Sequence, residues 1–271
     1  MRLPIPKPDT MPDWLARLRR SFASPVDIGD AEWDALLARS ALFERLDAAE
    51  RDALRALAVR FLAKKSFSGA AGHELADDQR LAIAALACLP VLHLGLDWLS
   101  GWRDVIVYPG EFRVKREHHD EQSGIVTEGE DDLIGEAWER GPLILSWADV
   151  ATDLAHPFDG FNVVVHEITH KLDMLDGAMN GVPRLPAHVP RREWIAAMQA
   201  GYDRLVRAVD RGRDTFIDPY ATESAEEYFA VVSELHFSDP AGFARAEPSV
   251  AALLARLYGA PGAVAASGPG R

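Results

Sequence analysis

The sequence predicts an α+β fold in which helical layers enclose one small twisted sheet. Its 271 residues, 48% hydrophobic and 26% charged, are enough to bury a large core without cross-links. Helical periodicity dominates the first and last thirds of the chain, whereas short β-branched or apolar runs bounded by Gly and Pro lie in the middle. This order indicates one α+β domain, which we expect to span residues 26–258.

The first third is predicted to be an extension followed by helices. Prolines at positions 4, 6, 8 and 12 disfavour helix early in residues 1–25, which we expect to be an N-terminal extension with a short helix over 13–20. Asp30 is a suitable N-cap for a helix that runs to Arg39, and Asp47 with Glu50 predicts a capping box. The two helices predicted next are Ala48–Lys64 and Asp77–Leu89.

The middle of the chain is predicted to form the sheet. The predicted strands are Val105–Tyr108, Ile125–Thr127 and Leu143–Trp147, each flanked by Gly or Pro. A charged stretch over residues 115–121, which contains His118 and His119, is expected to be a loop.

The last third returns to helical patterns. The predicted helices are Phe161–Leu175, ended by Gly177, and then Arg191–Asp210, Ala221–Phe237 and Ser249–Tyr258. Residues 259–271 are rich in Gly, Ala and Pro, so we expect a disordered tail.

Composition excludes several classes of protein. The formal net charge of −13 disfavours a general nucleic-acid binder, which normally carries a basic surface. Cys88 is the single cysteine, so no intrachain disulfide can form, and its apolar surroundings predict a buried thiol. No signal-like apolar segment and no membrane-spanning run is apparent, so we expect a cytoplasmic protein that does not bind membranes.

One motif carries the predicted chemistry. His166, Glu167 and His170 form H-E-x-x-H within an apolar-rich helical segment that lacks Gly and Pro. Residues four apart on a helix differ by about 40° in azimuth, so both imidazoles can bind one Zn²⁺. Glu167 lies beside that position, where it can act as general base towards a zinc-activated water.

The third metal ligand is not decided by spacing. Catalytic zinc usually takes three protein ligands and leaves one position for water. An extended motif with a third histidine fails, because position 176 is Asp176. Three glutamates on the predicted helix share one face within about 60°, and two histidines are also possible. The candidates are Glu223, Glu227, Glu234, His188 and His236.

Several further segments resemble one known family. The segments are His166–Asp173, Gly181–Pro183, Asp218–Ala221, Ala225–Val231, Cys88–Leu92 and Gly141–Trp147. Together they are similar to the Mlc titration factor A family of zinc peptidases over roughly residues 30 to 250. The resemblance implies a zincin-like metallopeptidase of the gluzincin type, with the active-site helix packed on the small twisted sheet and additional helical layers.

The same resemblance implies the rest of the site. Aligned on the family's A-E-x-F-A-V segment, the third zinc ligand falls on Glu227. Tyr220 lies seven residues earlier, as does a tyrosine in the similar site of the catalytic domain of anthrax lethal factor, which implies that Tyr220 stabilises the oxyanion. The alternative role is that of a turn residue after Asp218 and Pro219. Asp173 has two possible roles, either as support for a zinc-binding imidazole or as a polar residue near the end of the helix.

Two functions follow from the resemblance. The first is an aminopeptidase that hydrolyses small peptides, in which Glu223 or Glu234 could bind the free amine. The alternative is a regulatory protein that sequesters a transcriptional repressor of sugar uptake, with peptidase activity secondary.

Overall fold

The structure, a computed structural model, describes residues 28–110 and 141–260. The predicted N-terminal extension with its short helix, the strand Ile125–Thr127, the loop with His118 and His119, and residues 261–271 of the predicted tail lie outside the described residues.

The described residues form a mainly helical structure with a small sheet. In chain order the elements are α1 (Asp30–Leu37), α2 (Ala48–Lys64), β1 (Ser66–Gly69), α3 (Asp77–Cys88), β2 (Asp104–Tyr108), β3 (Leu143–Ser146), α4 (Trp147–Ala155), α5 (Val163–Asp173), α6 (Arg191–Val209), α7 (Ala225–Ser238), α8 (Pro240–Ala246) and α9 (Pro248–Tyr258). None of these helices has the length and apolar character needed to cross a membrane. The predicted mixture of helices and a small sheet is confirmed.

The sheet has three strands in the order β1-β2-β3, and both pairings are parallel. Val105 of β2 stands opposite Phe67 and Leu143, which fixes the register of both pairs. Alternate residues Val105 and Val107 are fully buried, as the two-residue side-chain period of a strand requires. Because β1 and β2 are parallel, the chain between them must cross over, and it does so through α3.

Two predictions in the first third have different outcomes. The capping box is confirmed: Asp47 Oδ1 accepts from Glu50 N at 2.8 Å, and Glu50 Oε2 accepts from Asp47 N at 3.0 Å. Asp30, in contrast, is not an N-cap, because α1 is capped by Gly29 and Asp30 is its first residue. The Asp30 carboxylate accepts from Arg55 Nη1 at 2.7 Å instead.

Side-chain caps also shift two element boundaries. Ser146 Oγ accepts from Asp149 N, so β3 ends there and Trp147 opens α4, which the sequence did not predict. Ser224 Oγ accepts from Glu227 N, so α7 begins at Ala225 and not at Ala221. The preceding residues form a separate 3₁₀ turn, Pro219–Thr222.

Helix α5 is the central helix of the structure. It packs against α7, α3 and β3. Val164 and Ile168 on this helix are fully buried, whereas His166 keeps a small exposed fraction and Glu167 is partly buried. Cys88, at the end of α3, is also fully buried, which confirms the predicted environment of this thiol. The packing leaves one face of α5 for the polar residues of the motif.

Gly181 contacts three helices: α5, α6 and α7. Its N–H donates to Asp173 Oδ2 at 2.7 Å, and its carbonyl accepts from Trp194 Nε1 at 2.9 Å. The residue has φ +74°, and a Cβ atom placed there would lie 2.6 Å from the carbonyl oxygen of Ala225. Glycine therefore meets two requirements at this position: a left-handed backbone and a close approach to the start of α7.

Gly181→Ala is expected to lower the free energy of unfolding by about 3 kcal/mol, because backbone strain adds to a clash with main-chain atoms. Gly177 is the matched control, since it has φ +91° but a Cβ atom placed on it would meet nothing within 4 Å. Gly177→Ala should cost only about 1 kcal/mol. Urea unfolding of both variants tests this difference, and equal losses would contradict the clash.

His236 on α7 gives the protein a predicted pH dependence. Its ring packs against Phe237 and Tyr258, with centroid distances of 5.0 Å and 5.5 Å. Burial lowers the pKa of His236 to about 4, although a hydrogen bond to the Gly259 backbone opposes the shift. In the unfolded chain the His236 ring is protonated below about pH 6.5, whereas in the folded protein it is protonated only below about pH 4.

Stability should therefore fall as the pH is lowered from about 6.5 to 4, by up to about 3 kcal/mol from this group. His236→Phe should remove that part of the pH dependence. Urea unfolding of metal-free wild type and variant across this range measures the effect without a contribution from metal release. Parallel profiles for the two proteins would show that His236 does not cause it.

Candidate metal centre

The N-terminus of α5 is held by three polar side chains. Asn162 is the N-cap, and its Oδ1 accepts from Val165 N at 3.0 Å. Two buried acids accept the neighbouring N–H groups: Asp153 Oδ2 from Val163 N at 2.7 Å, and Glu234 Oε2 from Asn162 N at 2.6 Å. Carboxylates are favourable here because the N-terminal end of a helix is electropositive.

The motif histidines converge with one carboxylate from α7. His166 Nε2 and His170 Nε2 are 3.1 Å apart. Glu227 Oε2 lies 3.1 Å from the first of these atoms and 3.5 Å from the second. All three side chains are at least 87% buried, and their ligand atoms lie within 4.8 Å of one another. No second group of three His, Cys, Asp or Glu donors converges in this way within residues 28–110 and 141–260.

The triangle has the size of one face of a tetrahedral zinc site. Zinc–ligand bonds of about 2.0–2.1 Å place neighbouring tetrahedral ligands about 3.3 Å apart. The three observed separations, 3.1, 3.1 and 3.5 Å, fall around that value. Two imidazole nitrogens with one carboxylate oxygen are a donor set that zinc uses in catalytic sites. These residues could hold a metal ion and leave one position for water.

The electrostatics of the triangle favour a positive charge. Burial alone would lower the pKa of His166, but hydrogen bonds to Glu227 and Glu234 raise it to about 10. Burial alone would raise the pKa of Glu227, but hydrogen bonds from His166 and His170 hold it well below its usual range. The carboxylates therefore create a potential that stabilises a cation between the rings.

Glu234 contacts His166 from the side away from the triangle. Its Oε1 lies 2.8 Å from His166 Nδ1, and its Oε2 is occupied by Asn162 N. The sequence placed Glu234 on the same face as Glu227 and suggested a metal ligand or an amine-binding group. Glu234 does not belong to the group of ligand atoms that could hold the ion, and each of its oxygens accepts a hydrogen bond within the protein. Its seven-residue spacing from Glu227, two helical turns, was the available signal for this role.

The other two predicted catalytic residues are Tyr220, which lies near His166, and Glu167, which follows His166 on α5. Glu167 is partly buried, and no hydrogen bond or ion pair joins it to another described residue. Tyr220 is 38% exposed, and its ring centroid lies 6.2 Å from that of His166. Asp218 Oδ1 accepts from Tyr220 N at 2.8 Å and so fixes the turn that carries this ring.

Asp173 holds the loop that follows α5. Its Oδ2 accepts the N–H of Gly181, and burial raises the pKa of Asp173 to about 6 against the effect of that hydrogen bond. Within the described residues its Oδ1 and His170 Nδ1 are buried without hydrogen-bond partners, so no hydrogen bond joins Asp173 to the imidazole.

The remaining candidates for the third ligand lie elsewhere. Glu223 is exposed at the end of the 3₁₀ turn. His188 Nε2 lies 2.8 Å from the carbonyl oxygen of Arg256, and His236 is buried against Tyr258. None of the three belongs to the group that could hold a metal ion.

The donor set is that of a metal-dependent peptidase: two histidines of an H-E-x-x-H helix and a carboxylate from a second helix. Comparison with known proteins agrees. Residues 14–259 match the family described as glucose-regulated metallo-peptidase M90, and the chain belongs to this family.

Alignments with related proteins cover most of the chain. An uncharacterized protein of Synechocystis sp. is 38% identical over 230 residues, which cover 83% of this chain and 82% of that protein. Mlc titration factor A of Escherichia fergusonii is 37% identical over 232 residues, covering 84% and 85%. The protein of the same name from Salmonella gallinarum is 36% identical, covering 84% and 86%. The family resemblance predicted from the sequence segments is confirmed.

Proposed function

We propose that the protein is a zinc-dependent peptidase that acts as an aminopeptidase on small peptides. The observation that carries the proposal is the triangle of His166, His170 and Glu227, with Glu167 next to the first histidine on the same helix. Membership in a metallopeptidase family supports peptide-bond hydrolysis as the reaction.

Each residue has a distinct role in the proposed reaction. His166, His170 and Glu227 would hold the ion, which when bound supplies Lewis-acid activation of the scissile carbonyl and of water. Glu167 takes a proton from the attacking water and delivers it to the leaving amine. The Tyr220 hydroxyl donates a hydrogen bond to the developing oxyanion.

Aminopeptidase specificity requires a group that binds the free α-amine of the substrate. Of the two acids considered from the sequence, Glu234 is committed to His166 and Asn162. Glu223 is exposed and follows the turn that carries Tyr220. We therefore assign amine binding to Glu223.

Metal removal tests the proposed function. The purified protein should contain about one zinc per chain and hydrolyse chromogenic amino-acid anilides. A chelator should abolish the hydrolysis, and added zinc should restore it. A protein that binds zinc tightly but cleaves neither anilides nor peptides would contradict the peptidase assignment.

The name of two relatives favours a second candidate function. These proteins are called Mlc titration factor A, which points to capture of a partner protein. For this chain the corresponding candidate is sequestration of a transcriptional repressor. A Glu167→Gln protein separates the two functions, because capture of a purified repressor should survive the substitution while peptide cleavage should not.

A further inference from the structure

We propose that Glu234 is the positioning residue of this centre: it fixes the tautomer and orientation of His166 and ties that ring to the first turn of α5. The inference rests on the proposed function of the triangle as a metal site. It predicts that position 234 needs a carboxylate, and that glutamine, which has the same shape but no charge, cannot replace it.

The first step concerns the tautomer of His166. A carboxylate only accepts hydrogen bonds, so Glu234 Oε1 at 2.8 Å from Nδ1 requires a proton on Nδ1. In the neutral ring the lone pair then lies on Nε2. This is the atom that stands 3.1 Å from both His170 Nε2 and Glu227 Oε2. Glu234 thus directs the metal-binding lone pair into the triangle.

The second step concerns the backbone. Glu234 Oε2 accepts from Asn162 N at 2.6 Å, and Asn162 caps α5 with its own side chain. One buried carboxylate therefore bridges the beginning of the helix and a ring on its second turn. Because Glu234 and Glu227 both belong to α7, the packing of α7 on α5 sets the third donor and the ring orientation together.

Glutamine cannot replace these contacts. Both partners of Glu234 are donors, the Asn162 N–H and the His166 Nδ1–H, and an amide offers one accepting oxygen and one NH₂ group. In either orientation the NH₂ group faces an N–H. The conflict is relieved if His166 moves its proton to Nε2, which places that proton where the metal would bind.

The Nδ1 atoms of the two motif histidines have different surroundings. His170 Nδ1 is buried and has no hydrogen-bond partner within the described residues. Glu234 is therefore the only described residue that is hydrogen-bonded to the Nδ1 atom of either motif histidine.

Asp153 supplies a matched control. It is buried like Glu234 and accepts an N–H at the same end of α5, from Val163 at 2.7 Å, but no hydrogen bond joins it to either motif histidine. A role confined to capping the helix would make the two acids equivalent. A positioning role would make Glu234 alone affect metal binding.

Zinc dissociation constants of wild type, Glu234→Gln and Asp153→Asn, measured by competition with a chromophoric chelator, test the proposal. Glu234→Gln should bind zinc about 10- to 100-fold more weakly, and Asp153→Asn within about threefold of wild type. The visible spectrum of the cobalt-loaded protein should change in the first variant only. Equal affinity of Glu234→Gln and wild type, or equal losses in both variants, would overturn the proposal.

If Glu234→Gln does not fold, an NMR measurement on the wild-type protein tests the proposal instead. In the zinc-loaded protein the His166 Nδ1 proton should give a hydrogen-bonded NMR signal protected from exchange with water, and a His166 that binds zinc through Nδ1 would overturn the inference. These experiments use zinc without substrate. A wild type that binds zinc but cleaves no peptide would sink the proposed function and leave the assignment of Glu234 in place.

Discussion

Glu167→Gln should lower kcat by roughly 10²- to 10⁴-fold while the protein keeps its zinc. The substitution preserves the shape of the side chain but removes the group that accepts the proton of water. Glu167 makes no hydrogen bond with described residues, so its loss should leave the triangle and the helix intact. Anilide hydrolysis and zinc content, measured on the same preparation, give the two results together.

Glu226→Gln is the control for this substitution. Glu226 is partly buried, lies near the centre in sequence, and makes no hydrogen bond or ion pair within the described residues. Its variant should keep full activity. If Glu167→Gln retained wild-type turnover, Glu167 would not be the general base and the proposed mechanism would fail.

Glu227→Ala should weaken zinc binding by more than about 100-fold, a larger loss than substitution of a supporting residue causes. Glu227 provides one of three donor atoms and the negative charge that faces both imidazoles. A water that entered the cavity left by this buried side chain would supply a donor atom but not the negative charge. Competition with a chelator of known affinity measures the loss directly.

Glu226→Ala tests which of two adjacent acids is the ligand. Of these two acids only Glu227 contacts the motif histidines, so the Glu226 variant should bind zinc as wild type does. Similar losses in both variants would indicate a general effect on α7 and would argue against Glu227 as a specific ligand.

Local signals in the sequence predicted the motif helix and its chemistry. His166 and His170 are one turn apart on any helix, so their convergence needs no tertiary information. The capping box of Asp47 and Glu50 is equally local, and the structure confirms it. The two-residue burial of β2 follows from its alternating side chains.

Tertiary contacts decided what spacing could not. A uniform helix from Ala221 would place Glu223, Glu227 and Glu234 on one face, but Ser224 starts a new helix and leaves Glu223 outside it. Glu234 contacts Nδ1 of His166 only because α7 packs against α5. Strand β1 (Ser66–Gly69) has little apolar pattern and exists through its pairing with β2.

Anomalous diffraction from zinc-loaded crystals, recorded at the zinc absorption edge, examines the metal centre most directly. We expect one strong peak about 2.0–2.2 Å from His166 Nε2, His170 Nε2 and a Glu227 carboxylate oxygen. A zinc peak elsewhere in the molecule, with these three side chains uncoordinated, would contradict the assignment of the centre and the peptidase mechanism built on it.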